Sequence, residues 1–283
     1  MAAPEALHLF VDESIHHGLG FIVTAFVFAR TDVGPLVRDS LASAGMMPGR
    51  DEFKSSEPMA SNPAMRSLRE RLLRIASDHT TIAALVTPSD TRPELGAAVI
   101  DALDVILRKN GMPLPLCAWF DQGMFRSTGK ASRLAASVAS LATSALAFEQ
   151  DSRAVLGLQL ADAVAHLVAQ VLREEVSGVK KPVGIGGPDT GYADGTIAPL
   201  GWALLMTLRY AFLVRPVVPE GREATVPADM EPLVVPEDED YVSAAQHPHF
   251  LGWGVIVSDG VDVAIARAAE VAFSNNAGHL TRK

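Results

Sequence analysis

The sequence contains a single cysteine, Cys117, within the apolar run LCAWF. A lone cysteine excludes a disulfide within the chain, and we expect a buried thiol in a reducing, cytoplasmic setting. The first residues, MAAPEALHL, lack both a basic start and a long apolar stretch, so they predict no signal peptide. The apolar stretch 199–218 is interrupted by Arg209, which favours a buried helix over a membrane span.

An excess of basic charge, the usual mark of a nucleic-acid-binding protein, is also missing. The chain has a net charge of −9 at pH 7. Residues 216–283 contain 11 acidic and 4 basic residues and carry −7, which leaves −2 for residues 1–215. Four acids of this first part are candidate site residues, and the rest of it is then slightly positive. A nucleic-acid partner is compatible with this charge, but we expect its binding to be weak and salt-sensitive.

Length and composition indicate one large globular domain with a small appendage. Of the 283 residues, 48% are hydrophobic and 20% are charged, which suffices for a sizeable core. We assign residues 1–215 to this domain and residues 216–241, rich in proline and acids, to a linker. Residues 242–283 predict a strand and a helix, too little to fold alone, so this extension docks on the domain or on a partner subunit. Docking on a partner subunit would make the protein a homo-oligomer.

Two segments far apart in the sequence carry polar side chains where apolar ones are expected. Residues 7–12 of LHLFVDES predict a buried strand that ends on Asp12 and Glu13. Residues 157–168, GLQLADAVAHLV, predict a core helix. One face of this helix carries Gln159, Asp162 and His166. Because a buried carboxylate is costly unless a positive charge meets it, a cation between strand and helix accounts for both segments, whereas a turn cap accounts for Asp12 alone.

Four short motifs follow one another along the chain. They are FVDES at residues 10–14, Glu52-Phe53-Lys54, Asp121 at the end of an apolar strand, and GLQLAD at residues 157–162. In this order they resemble the domain of unknown function 3800 family, over residues 7–175, with Ile15 in place of the usual glycine. The resemblance implies an α/β fold, a ribonuclease H-like mixed sheet flanked by helices, followed here by the C-terminal extension.

A ribonuclease H-like arrangement would bring the acids of these motifs together. The first and fourth strands of such a fold run side by side, so Asp12 and Asp121 would end neighbouring strands. Asp162 would reach them from the helix and Glu52 from a loop. Four converging carboxylates raise each other's pKa unless cations neutralise them, and oxygen ligands suit Mg²⁺ or Mn²⁺.

The implied function is a metal-dependent nuclease, because two such ions can hold a phosphodiester and activate water. The metal ligands would be Asp12, Glu52, Asp121 and Asp162. Lys54 would complete the catalytic set by neutralising charge on the phosphate. Auxiliary candidates are Glu13, Ser14, Gln159 and His166.

Two other interpretations stay open at the level of sequence. Restriction-type nucleases also combine an upstream Asp with a Glu-x-Lys segment, although Glu52 and Lys54 lie in a polar stretch with weak strand character. Alternatively, the chain is a non-catalytic interaction protein whose acids serve as turn caps. Scattered bases offer contacts to a nucleic-acid backbone in either nuclease interpretation. These bases are Arg66, Arg69, Arg126, Lys130 and Arg133.

Overall fold

The β-strands form one large mixed sheet and a separate two-stranded ribbon. This computed structural model describes residues 6–56, 59, 62–112, 114–187, 191–213, 249–251 and 254–273. The strands are β1 (Leu7–His16), β2 (Phe21–Ala29), β3 (Thr80–Pro88), β4 (Leu116–Asp121), β5 (Ala145–Gln150), β6 (Pro182–Gly184), β7 (Ile197–Pro199), β8 (His249–Leu251) and β9 (Val255–Val257). The α-helices are α1 (Gly34–Ser43), α2 (Pro63–His79), α3 (Leu95–Asn110), α4 (Thr128–Ala136), α5 (Gly157–Ser177), α6 (Leu200–Leu208) and α7 (Val263–Phe273).

The large sheet has the strand order β5-β4-β1-β2-β3-β9-β8. β1, β2 and β3 form an antiparallel meander, whereas β4 pairs in parallel with β1 and β5 in parallel with β4. Helices cover both faces of this sheet. The predicted α/β fold, a ribonuclease H-like mixed sheet flanked by helices with its first and fourth strands side by side, is therefore confirmed.

Each face of the sheet packs on its own apolar core. β2 lies between β1 and β3 and is buried along its whole length, which explains the unbroken apolar character of FIVTAFVFA. α2, α5 and α7 cover one face, and α3 and α4 cover the other. Alternate residues of β1 enter the two cores, since Phe10 packs on the α5 side while Leu9 and Val11 pack on the α3 side. Position 12 of β1 consequently faces α5.

β1 continues beyond the point where the sequence pattern predicts its end. The acids Asp12 and Glu13 lie inside the strand, because the following residues still pair with β2 as far as His16 opposite Phe21. The hairpin closes at Gly20, whose φ of 81° suits glycine. The prediction that the strand ends on its two acids is therefore wrong. It is β4 that ends at this level, with Asp121 beside β1.

The described part of the C-terminal extension joins the large sheet. β9 pairs in parallel with β3, from Ala84 opposite Val255 to Val86 opposite Val257. β8 pairs antiparallel with β9, and Gly254, at a φ of 67°, precedes β9 where the sequence predicts one continuous strand. α7 packs on α5 and buries Phe273. The predicted linker, residues 216–241, lies outside the described residues.

The apolar stretch that begins at Pro199 forms only a short helix in the described part of the chain. α6 ends at Leu208, and Arg209 follows it with its guanidinium over the ring of Tyr210. No helix within the described ranges is long and apolar enough to cross a membrane.

The close approach of α5 to β1 yields a first prediction. A Cβ atom on Gly157 would lie 2.3 Å from Cε1 of Phe10, a ring that is already stacked on Trp119. We expect Gly157→Ala to lower the free energy of unfolding by about 1–3 kcal/mol through overpacking, measured by urea denaturation. The control is Gly129→Ala in α4, where a Cβ meets nothing within 4 Å. This control should leave stability unchanged or raise it, and an equal loss in both variants would contradict the packing explanation.

Candidate functional site

Two aspartates meet on neighbouring parallel strands of the sheet. The last register pair of β1 and β4 is Val11 opposite Phe120, so Asp12 and Asp121 are the next residues on the two strands. Trp119 stacks on Phe10 with ring centroids 5.2 Å apart, on the α5 side of the sheet. Because side chains alternate along a strand, Asp12 and Asp121 face the same side. Asp12 is buried, with 6% of its surface exposed.

Asp162 and Gln159 project from α5 and hold the segment that carries Glu52 and Lys54. The backbone N–H of Phe53 donates to Oε1 of Gln159 at 2.9 Å, and Nε2 of Gln159 donates to the carbonyl of Ser152 at 3.0 Å. The N–H of Ser55 donates to Oδ2 of Asp162 at 2.8 Å. Both polar groups of Gln159 are thus engaged by backbone. Gln159, an auxiliary candidate in the sequence, therefore fixes the segment to the helix.

Glu52 and Lys54 lie at the edge of this arrangement. Nζ of Lys54 is 2.5 Å from Oε1 of Glu52, which also accepts a hydrogen bond from the hydroxyl of Ser152. Phe53, between them, is fully buried and anchors the segment in the core. The side chain of Lys54 is half exposed, so an incoming ligand can reach the pair.

The pKa shifts show that the three aspartates interact electrostatically. Burial raises the pKa of Asp12 well above its usual range, and the charges of Asp121, Asp162 and Glu13 raise it further. The pKa of Asp121 is raised to about 6 by burial and by the charges of Glu52 and Asp162, while the N–H of Gln122 and the charge of Lys54 oppose the shift. The pKa of Asp162 is raised by burial and by Glu52, against the N–H of Ser55 and the charge of Lys54. Negative charge at this place is therefore only partly compensated by the protein.

The ammonium of Lys54 partly compensates this negative charge. Burial acts to lower its pKa, but the hydrogen bond and charge of Glu52, with the charges of Asp162 and Asp12, more than offset this and raise it. The carboxylates therefore hold Lys54 in its charged form. One ammonium shared among four acids leaves the cluster negative.

The carboxylate set has the chemistry of a site for a hard divalent cation but not yet its geometry. Among the described residues, no group of three or more His, Cys, Asp or Glu side chains is arranged to hold a metal ion. Carboxylate oxygens accept hydrogen bonds from the protein instead. Oδ1 of Asp12, for example, accepts the N–H of Glu13 at 2.6 Å. Carboxylate oxygens are nevertheless the ligands that Mg²⁺ and Mn²⁺ prefer, and the uncompensated charge of buried Asp12 suits such an ion.

Glu13 does not belong to the same side of the sheet. As the neighbour of Asp12 on β1 it faces the α3 side, where its Oε1 lies 2.7 Å from Nη2 of Arg92. Nη2 of Arg92 also donates to the carbonyl of Gly123, and Glu149 accepts the N–H of Gly123. Burial raises the pKa of Glu13 to about 7 although Arg92 opposes the shift. This network fixes the turn that follows Asp121 from behind the sheet.

Ser14 and His166 both lie next to His16. Oγ of Ser14 lies 3.0 Å from Nε2 of His16. The ring of His166 is 6.5 Å from that of His16, between centroids. The pKa of His166 is lowered to about 4, first by burial and then by the charges of His16, Arg69 and Arg173. The three residues of the predicted helix face therefore differ in their surroundings. Gln159 and Asp162 lie near the acids, whereas His166 lies near basic residues.

Sequence reasoning missed several residues that shape the site. Ser152 bonds Glu52, and the N–H of Ser55 bonds Asp162. Arg92 and Glu149 hold the turn behind Asp121. Ser55 bonds through its backbone, and Arg92 and Glu149 have partners distant in sequence, so none of these contacts leaves a signal in local spacing.

The comparisons with known proteins add little beyond this geometry. No family model matches the chain, and no curated protein matches its sequence. A chain in the solved structure of the PCNA:RNase HII complex from Archaeoglobus fulgidus is similar at 18% identity with a TM-score of 0.37. The match covers 71% of this chain and 87% of that chain. A likeness at this level says nothing about chemistry, and the fold assignment rests on the strand order.

The role of Gln159 can be tested by removing its amide. Gln159→Leu leaves the N–H of Phe53 and the carbonyl of Ser152 without a partner, at a cost of about 1–3 kcal/mol for each buried group. We expect a lower free energy of unfolding and faster hydrogen exchange at Phe53. Gln122→Leu, at an exposed position, is the control. Unchanged exchange at Phe53 in Gln159→Leu would show that the segment is held by other contacts.

The raised carboxylate pKa values predict a pH dependence of stability. A carboxylate whose pKa is higher in the folded than in the unfolded state stabilises the fold at low pH, and this contribution is lost as the pH rises through the folded pKa. With EDTA present, the free energy of unfolding should therefore fall between about pH 4 and pH 7. Asp121→Asn should recover about 1 kcal/mol at pH 8, after allowance for solvent screening, and little at pH 4. Asp78→Asn, exposed on α2, should keep the wild-type profile, and an Asp121→Asn profile as steep as wild type would contradict the assignment.

Proposed function

We propose that this chain is a divalent-metal-dependent nuclease that hydrolyses phosphodiester bonds in nucleic acid. The observation that carries the proposal is the cluster of Asp12, Asp121 and Asp162, whose carboxylates act on one another's pKa on one side of the sheet. Buried acids that the protein leaves only partly compensated are suited to hard cations, and paired hard cations are suited to phosphoryl transfer.

Each proposed residue has a distinct role in this chemistry. Asp12, Asp121 and Asp162 would hold Mg²⁺ or Mn²⁺, with Glu52 as the fourth ligand. When bound, such an ion lowers the pKa of a water and neutralises charge on phosphate oxygens. Lys54, held by Glu52 at the exposed edge of the site, would contact the phosphate of the substrate. Gln159 keeps the Glu52 to Ser55 segment against α5 and acts as a positioning residue.

Membership of the domain of unknown function 3800 family belongs to the same proposal. It is supported by the four motifs and by the side-by-side arrangement of β1 and β4. We likewise propose a cytoplasmic location for the protein and a nucleic-acid substrate, whether RNA, DNA or a hybrid.

The two other interpretations make different demands on the same residues. A restriction-type site needs its Glu-x-Lys on a strand, but the Glu52 to Lys54 segment is an irregular loop, which favours the ribonuclease H-like arrangement. An interaction protein would bind no metal at these acids. Binding of Mn²⁺ should therefore separate a nuclease from an interaction protein even before a substrate is found.

The nuclease proposal predicts loss of cleavage on single carboxylate-to-amide changes. Labelled single-stranded, duplex and hybrid substrates would be incubated with Mg²⁺, Mn²⁺ or EDTA. Asp12→Asn and Asp162→Asn should each reduce the rate at least about 100-fold, since loss of a ligand exceeds the loss caused by its supporting residues. Asn at position 162 can still accept the N–H of Ser55, so the loop should stay in place. Mn²⁺ should raise the melting temperature of the wild type and not that of Asp12→Asn.

The matched control for this experiment is Asp101→Asn, an exposed carboxylate on α3 at the other face of the sheet. It should retain full activity. Cleavage that survives both Asp12→Asn and Asp162→Asn, or that never appears with any metal, would favour the interaction protein.

A further inference from the structure

A second polar cluster lies on the same side of the sheet as the carboxylates. It consists of His16, Arg69, His166 and Arg173, here called the basic group. His16 is on β1 four residues beyond Asp12 on the same strand face, and His166 is on α5 one turn beyond Asp162. The two histidine rings lie 6.5 Å apart between centroids. Acids and bases therefore follow each other along the same strand and the same helix.

Arg69 and His166 line a small cavity between α2, α5 and α6. The cavity has a volume of about 30 Å³, and its other polar lining residue is Gln170. Nε of Arg69 is buried there and has no hydrogen-bond partner among the described residues. The side chain of Arg69 is therefore turned toward this cavity and only partly exposed to solvent. A space of this size accepts water-sized groups such as phosphate oxygens and excludes a base.

The positive charge of the basic group comes from its two arginines, because the pKa values of His16 and His166 are both lowered. None of its four members forms a salt bridge with an acid in the described ranges of the chain. The buried carboxylate on the same helix, Glu174, is occupied by the N–H groups of Lys181 and Gly201 and by the amide of Gln170. Burial lowers the pKa of Arg69, with an added effect of Arg66 that Glu70 opposes. A buried donor and two guanidinium groups that form no salt bridge within the described residues favour an anionic ligand.

We propose that the basic group is a phosphate subsite, which holds a phosphate of the nucleic-acid strand other than the one at the carboxylates. The proposal rests on the proposed function for its role in catalysis, although anion binding itself does not require cleavage. Arg69 supplies a buried guanidinium, His166 and His16 supply ring donors, and the exposed Arg173 lies at the outer end.

The spacing of the two clusters identifies the class of substrate. A helix rises 1.5 Å per residue, so His166 lies about 6 Å along α5 from Asp162. A strand rises about 3.3 Å per residue, so His16 lies about 13 Å along β1 from Asp12. Phosphates repeat every 3.4 Å along the axis of a stacked strand, so the interval corresponds to about two to four nucleotides. The substrate is consequently a strand with several phosphates, and neither a mononucleotide nor a small diester reaches both clusters.

The first test measures binding without turnover. A fluorescently labelled single strand of 12 nucleotides would be titrated in EDTA at several salt concentrations. Arg69→Gln should weaken binding about tenfold and reduce the slope of log affinity against log salt by about 0.7, the loss of one phosphate contact. Arg71→Gln removes the same charge from an exposed position of the same helix and should change neither quantity. Arg69→Lys keeps the charge and should retain most of the binding.

The source of the phosphate is resolved by two versions of the strand. With a 5′-hydroxyl strand only backbone phosphates are available, whereas a 5′-phosphorylated strand adds a terminal one. Equal losses for the two strands in Arg69→Gln indicate a backbone phosphate. A loss confined to the phosphorylated strand indicates a terminal phosphate, and both results support the subsite.

The second test separates the subsite from the carboxylate site. Arg69→Gln should raise KM for the oligonucleotide and leave kcat largely unchanged, with no effect on hydrolysis of bis(p-nitrophenyl) phosphate, which has one phosphate. If Arg69→Gln and Arg71→Gln weaken binding equally, or neither does, the subsite is wrong even when Asp12→Asn confirms the nuclease. If Arg69→Gln alone weakens binding but no metal supports cleavage, the subsite stands and the proposed function fails.

Discussion

The packing of α5 on β1 is the contact on which the candidate site depends. Gly157 lies against the ring of Phe10 so closely that no side chain fits between them. This brings the helix near enough for Asp162 to share an electrostatic environment with Asp12. It also places Gln159 where it can hold the backbone of Phe53. A single close approach thus positions the helix acid, the strand acid and the Glu52 to Ser55 segment relative to each other.

The carboxylates that this contact gathers are unfavourable for the fold by itself. Burial raises the pKa of Asp12, Asp121 and Asp162, which means that the folded state disfavours their charged forms. The sheet tolerates them because β2 and the two apolar cores around it are buried throughout. Side chains that lower the stability of their own domain are expected where function, and not packing, determines the residue.

The sequence predicts the strand neighbours and the acids better than it predicts their surroundings. Alternating and unbroken apolar runs indicate buried strands, and the pairing of β1 with β4 is what the family resemblance implies. The end of β1 was misjudged because hairpin pairing with β2 carries the strand past Asp12 and Glu13. Strand alternation already separates these two acids onto opposite faces, yet the partner of Glu13 is Arg92, which only the three-dimensional fold brings near. Long-range contacts of this kind leave no periodic signal.

The positions of the cations distinguish the acid with a structural role from the acids of the candidate site. Arg92 is paired with Glu13 behind the sheet, where the acid has a structural role and needs compensation. On the α5 side, Lys54 is the base whose charge acts on both Asp121 and Asp162, and it sits half exposed on a loop. His16 and His166 lie further along the same strand and helix, and Arg69 on α2 lines the cavity beside His166. An arginine among the aspartates would neutralise them and occupy the space of a metal or a phosphate, so bases that lie apart from the acids leave both clusters available to a ligand.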